Sequence, residues 1–122
     1  MTTNILDKDG NSIAAADATV PSDRHFRNAW TLSGTTVTED LTEAKKIFQS
    51  KIREVRTPLL AAEDVIYMKA LEDADTDAQA ASVAKKKKLR DAPAASAITN
   101  ASSISALKSA WDKDVLGTSP YA

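Results

Sequence analysis

At 122 residues the chain has room for one domain and an arm, and so short a chain buries a modest share of its surface. Charged residues make up 27% and the formal net charge is −1, a balance that argues against a nucleic-acid partner, because such binders carry a basic excess. Cysteine is absent, which excludes disulfides and thiolate metal sites, and aromatics are only 5%, so large core anchors are few. A core this thin is expected to draw on partner subunits for stability.

The opening residues reach Asp7 with neither a basic segment nor an apolar one, so no secretion signal is expected. No stretch approaches the roughly 20 apolar residues that a membrane span needs. The expectation is a soluble protein made in the cytoplasm, without a membrane partner. Residues 1–19 read as an N-terminal arm or small hairpin. Asn4-Ile5-Leu6 and Ser12-Ile13-Ala14 flank the turn signal Asp9-Gly10-Asn11. An extended arm that orders only against a partner fits the same residues.

Residues 20–116 read as a single small domain, a β-hairpin plus helices. Phe26, Asn28, Trp30 and Leu32 alternate with Arg27, Ala29 and Thr31, and Ser33-Gly34 breaks the run before the β-branched Thr35–Thr38. This predicts a hairpin of 25–32 and 35–38, with Phe26 and Trp30 on one face over a helix.

Asp40 followed by Glu43 reads as a capping-box variant that starts a long helix, 41–73. Within it, Phe48, Ile52, Val55, Leu59, Ala62 and Ile66 recur in steps of three and four. They form one stripe, a seam that two packed helices would share. Pro58 removes a backbone donor, so either one helix kinks there or two helices meet. The unbroken seam favours a kink.

A further helix fits 77–90, acidic at its start and basic at its end, with Pro93 terminating it. A short helix fits 103–112, capped by Ser102 or Ser103, with Ile104, Leu107 and Trp111 at helical spacing. Gly117 and Pro120 mark 117–122 as a flexible tail. The expected fold class is α+β and mostly helical: an N-terminal β-hairpin region packed on a helical hairpin, with a short C-terminal helix.

Chemistry-bearing motifs are sparse. His25 is the only histidine, and no serine or carboxylate is spaced to build a triad with it. Asp73, Asp75 and Asp77 imitate the opening of a calcium loop. Ala78 and Ala84 then occupy the positions where glycine and glutamate are required. The three glycines stand at 10, 34 and 117, too far apart for a phosphate loop. Lys85–Lys88 is the densest charge run and reads as a solvated helix end with one or two stems lying on the neighbouring hairpin. No enzyme, cofactor or metal is expected. The arginines are better interface candidates, because guanidinium forks pair bidentately with carboxylates. Arg53 and Arg56 flank the seam, and intramolecular and inter-subunit pairing are both open to them.

Two segments carry a resemblance. The first is Val20-Pro21-Ser22-Asp23-Arg24-His25-Phe26-Arg27-Asn28-Ala29-Trp30. The second runs from Ala44-Lys45 through Arg53, Arg56 and Pro58-Leu59-Leu60 to Asp64-Val65, Tyr67-Met68 and Ala70-Leu71-Glu72. Leu89-Arg90-Asp91 and then Ile104, Leu107 and Trp111 follow. Over about residues 20–113 this order resembles a group of small tailed-bacteriophage proteins encoded among tail and host-recognition genes. The resemblance implies a structural virion component, of the tail or its fibre attachment, whose partners are other virion proteins or further copies of itself. A fibre-assembly chaperone and a capsid decoration protein are the alternatives. No catalytic residues come with it. Phe26, Trp30 and Trp111 are the expected anchors at subunit contacts, with Arg24, Arg27, Arg53 and Arg56 as polar clamps.

Overall fold

The computed structural model describes residues 4–121. Two small antiparallel hairpins precede a bundle of helices, which makes the protein mostly helical α+β. Strands β1 (Asn4–Leu6) and β2 (Ser12–Ala14) pair with Ile5 opposite Ile13. Strands β3 (Trp30–Ser33) and β4 (Thr36–Glu39) pair with Trp30 opposite Glu39 and Leu32 opposite Val37. Residues 27–29, expected as strand, form a 3-10 turn instead. This turn swings Phe26 and Ala29 onto the helices, where both are buried.

Asp7 joins the two hairpins. Its carboxylate accepts the backbone N–H groups of Asp9, Asn11 and Leu32, each at 2.9 Å, and Lys8 N–H donates to the Trp30 carbonyl at 2.9 Å. The Leu32 N–H, with the Asn11 amide and backbone behind it, outweighs burial and holds the Asp7 carboxyl below the usual carboxylate range.

Helix α1 (Leu41–Glu72) begins as expected, with Asp40 accepting from Thr42 and Glu43 N–H. It runs unbroken through Pro58, as one helix rather than two. Pro58 and Glu54 are both exposed, so the Glu54 carbonyl that loses its partner faces water. Helix α2 (Thr76–Asp91) folds back on α1 after a tight turn and is capped by Asp75. Asp75 N–H donates to Ala70 O and Ala74 N–H to Leu71 O, the bonding pattern of a Schellman turn. Such a turn wants glycine at the left-handed position, and here Ala74 occupies it at φ 51°.

A 3-10 turn at Ala92–Ala94 with buried Pro93 leads to three short helices: α3 (Ser96–Thr99), α4 (Ile104–Ser109) and α5 (Lys113–Leu116). Ser103 caps α4 through Ala106 N–H. The core is one cluster: Phe26, Phe48, Ile52, Leu89, Ile98, Leu107, Trp111 and Leu116 with small neighbours. The expected loose tail belongs to it. Tyr121 stacks on Phe26 with ring centroids 5.0 Å apart and on Phe48 at 5.3 Å, and Trp111 Nε1 donates to Gly117 O at 3.0 Å. A large aromatic ring near the end of the chain gains more by covering two other rings than by staying in water.

Candidate interaction surface

The seam meets two fates. Phe48 and Ile52 are buried and Val55 and Leu59 half-buried, all against the core, whereas Ala62 and Ile66 on the same stripe are exposed. Helix α2 reaches the seam only at its C-terminal end, where Leu89 joins Phe48 and Ile52 in the core, and farther out it leaves the seam bare. It packs on the neighbouring face of α1, where Glu63 and Ala70 are buried against Ser82. That contact is narrow and polar. Ser82 Oγ donates to Glu63 O at 3.3 Å, Gln79 Nε2 to Ala70 O at 3.2 Å, and Lys85 bridges to Glu63 at 3.5 Å.

The outcome is a two-helix arm with bare apolar side chains. Val65 is 61% exposed, Met68 58%, Val83 50%, Ile66 48% and Leu71 47%. Single exposed apolar residues are ordinary, but five on one short arm leave much apolar surface uncovered by the chain, which makes the arm the candidate contact region. Spacing foretells the mismatch only for Ile66. Val65, Met68 and Leu71 lie off the seam, and nothing in their pattern distinguishes bare from covered.

The predicted anchors sit elsewhere. Phe26, Trp30 and Trp111 are 0%, 2% and 5% exposed within the single chain, so they build its own core rather than reach for a partner. Arg24 and Arg27 flank the Trp30 ring, their guanidinium carbons 5.8 and 6.0 Å from its centroid. Opposite Trp30, burial raises the Glu39 carboxyl above its usual range, with the Asp23 carboxylate adding to the effect. Asp23 is itself lowered by the Lys108 ammonium, which bonds it at 2.5 Å.

Arg53 and Arg56 stand apart from that group and join Arg90 from the end of α2. The three line a cleft of about 230 Å³ with Gln49 and Pro93. Arg56 donates to the Arg90 carbonyl at 2.7 Å and more weakly to that of Leu89, capping α2. Among the described residues none of these three arginines forms an ion pair with a carboxylate. The lysine run behaves differently. Lys85 meets Glu63, Lys86 meets Asp64 at 2.5 Å and lies over the Tyr67 ring at 4.9 Å, and Lys87 meets Asp91. Lys85 and Lys86 thus clasp α2 to α1, while the Lys87 pair lies within α2.

A larger hollow of about 560 Å³ lies between α2 and α5, with Ile52, Ala95 and Val115 in its floor and Asp91, Asp112 and Asp114 at its rim. Asp112 caps α5 and Asp91 pairs with Lys87, so two of the three rim carboxylates have structural partners. His25 pairs with Asp23 at 3.5 Å and meets the edge of Tyr121. No group of three or more His, Asp or Glu among the described residues could hold a metal ion. No helix among them is long and apolar enough to cross a membrane. Compared with known proteins, the chain matches no family model, no curated protein and no solved structure.

Proposed function

We propose that this chain is a non-enzymatic structural subunit of a phage virion, of the tail or its fibre attachment, and that it works by packing against neighbouring subunits. The observation that carries the assembly role is the bare apolar arm: a stably folded base holds out side chains that have no partner within the chain. The virion setting draws on the residue order from Val20 to Trp30 and from Ala44 to Glu72 that resembles small tail-region proteins. The corrected positions refine the mechanism. Contact falls to Val65, Met68 and Leu71 on the arm and to Arg53, Arg56 and Arg90 beside it, while the buried aromatics hold the base rigid.

Quantitative mass spectrometry of density-purified virions tests this. The expected result is a fixed stoichiometry well below that of the major capsid protein. A ratio near one would assign the chain to capsid decoration. Abundance in infected cells with absence from virions would overturn the structural role in favour of an assembly chaperone.

A further inference from the structure

We infer that the three-arginine cleft is a socket for the acidic arm tip of a second copy of this chain, so that two arms pair antiparallel about a two-fold axis. This deepens the proposed packing role, and rests on it, by naming the surface, its occupant and the register.

The cleft concentrates three guanidiniums with no carboxylate among the described residues to neutralise them. Like charges held together in this way favour an anion between them, and arginine forks match carboxylates in shape. The chain carries the complement at the other end of the same arm. Glu72, Asp73, Asp75 and Asp77 are all exposed around the α1–α2 turn, and none forms an ion pair among the described residues.

The spacing permits a closed pair. At ~1.5 Å per residue, Asp73 lies about 26 Å along α1 from Arg56. Arg53, Thr57, Leu60, Asp64, Met68 and Leu71 recur in steps of four and three, so they share one side of α1. A two-fold axis near Asp64 sets Arg53 of one copy against Asp75 of the other and keeps Arg56 and Arg90 on the α2 flank, where the partner's own α2 opens with Asp75 and Asp77. The same operation returns the contact in the opposite direction, as an isologous interface requires. Between these charged ends, Met68 and Leu71 of each copy come to lie over Leu60 and Thr57 of its partner. Each Asp64 at the axis already holds its own Lys86, which limits repulsion there. An overlap of about 33 Å and one helix, ~10–12 Å, wide spans on the order of 350 Å² per copy, less than half a standard interface, which fits a weak, salt-sensitive pair.

Sedimentation equilibrium of the purified chain up to a few hundred micromolar tests the pairing. The expected result is a monomer–dimer equilibrium that weakens with added salt. Arg53→Glu and Asp75→Arg are both exposed changes, and circular dichroism would establish that each variant folds, Asp75→Arg having also lost the α2 cap. Each alone is expected to weaken dimerisation by about tenfold or more, since it faces like charge on its partner. An equimolar mixture of the two restores opposite charges at both contacts and should recover association. A monomer at all concentrations overturns the inference, as does a dimer that neither substitution weakens or a mixture no tighter than its components. The purified chain alone is measured, so such a failure leaves the virion assignment to the mass spectrometry.

Discussion

The two halves of α1 carry the same kind of residue in the same rhythm and end in opposite environments. Over residues 41–59, Ala44, Phe48 and Ile52 are buried under α4, α5 and the Arg27–Ala29 turn, with Tyr121 closing the top. Over residues 60–72, Val65, Ile66, Met68 and Leu71 stay bare, and α2 touches only the strip around Glu63 and Ala70. Amphipathic spacing makes a helix able to bury a face. Whether the face is buried depends on what the rest of the chain can reach, and after α2 returns to the base the remaining short helices all stay there.

The sharpest way to break this comparison is to truncate one side chain on each half. Phe48→Ala removes a fully buried ring and is expected to cost ~3–5 kcal/mol in urea unfolding of the dilute protein. Val65→Ala should change the same measurement by less than ~0.5 kcal/mol, as is usual for exposed positions. A large loss from Val65→Ala would mean that the arm is covered within the chain.

A smaller effect is expected at the turn that sets the arm. Ala74→Gly relieves a left-handed alanine, a strain of ~1–2 kcal/mol, while adding unfolded-state freedom that offsets ~0.4–1 kcal/mol. A net gain of about 0.5–1 kcal/mol is expected, read as a higher urea midpoint and slower amide exchange in the first turns of α2. No gain would mean that the turn is not held as a Schellman motif.

The smallest effect concerns the β region beside the base. Asp7 is lowered in the folded protein, chiefly by the Leu32 N–H. Its contribution is therefore complete above the unfolded carboxylate value near ~3.9 and is lost as the pH falls through the lower folded value. Glu39 has the opposite sign, because burial raises it. Its contribution is complete below the unfolded glutamate value and lost as the pH rises through the raised folded one. Asp7→Asn should thus flatten the acid limb of a stability–pH curve, and Glu39→Gln should flatten the limb just above it. An unchanged acid limb in Asp7→Asn would break the proposed link between the two hairpins.

Local signals were legible where the chain chemistry is local. The caps at Asp40 and Ser103, the turns at Asp9-Gly10 and Ser33-Gly34, the long periodicity of α1 and the charged ends of α2 all act within a few residues, so composition and spacing alone reveal them. Helices α3 and α5 span four residues each, too short to display a period. Of the candidate contacts, Arg53 and Arg56 lie exposed or half-exposed beside the arm, and their charge made them visible. The aromatic candidates Phe26, Trp30 and Trp111 are buried within the single chain, and spacing could not show this because size and hydrophobicity suit a core and a contact equally.

By itself, then, the sequence determined the two hairpin turns, the long helices and their hairpin, and the mostly helical α+β class, because capping, turn chemistry and amphipathic period are short-range effects. Tertiary structure alone decided which half of the α1 stripe is covered, that Tyr121 joins Phe26 and Phe48, that Asp7 reaches Leu32, and that Arg90 completes a cleft with Arg53 and Arg56. Each of these joins residues far apart in the chain, and their meeting depends on how the chain turns back on itself, which no local pattern records.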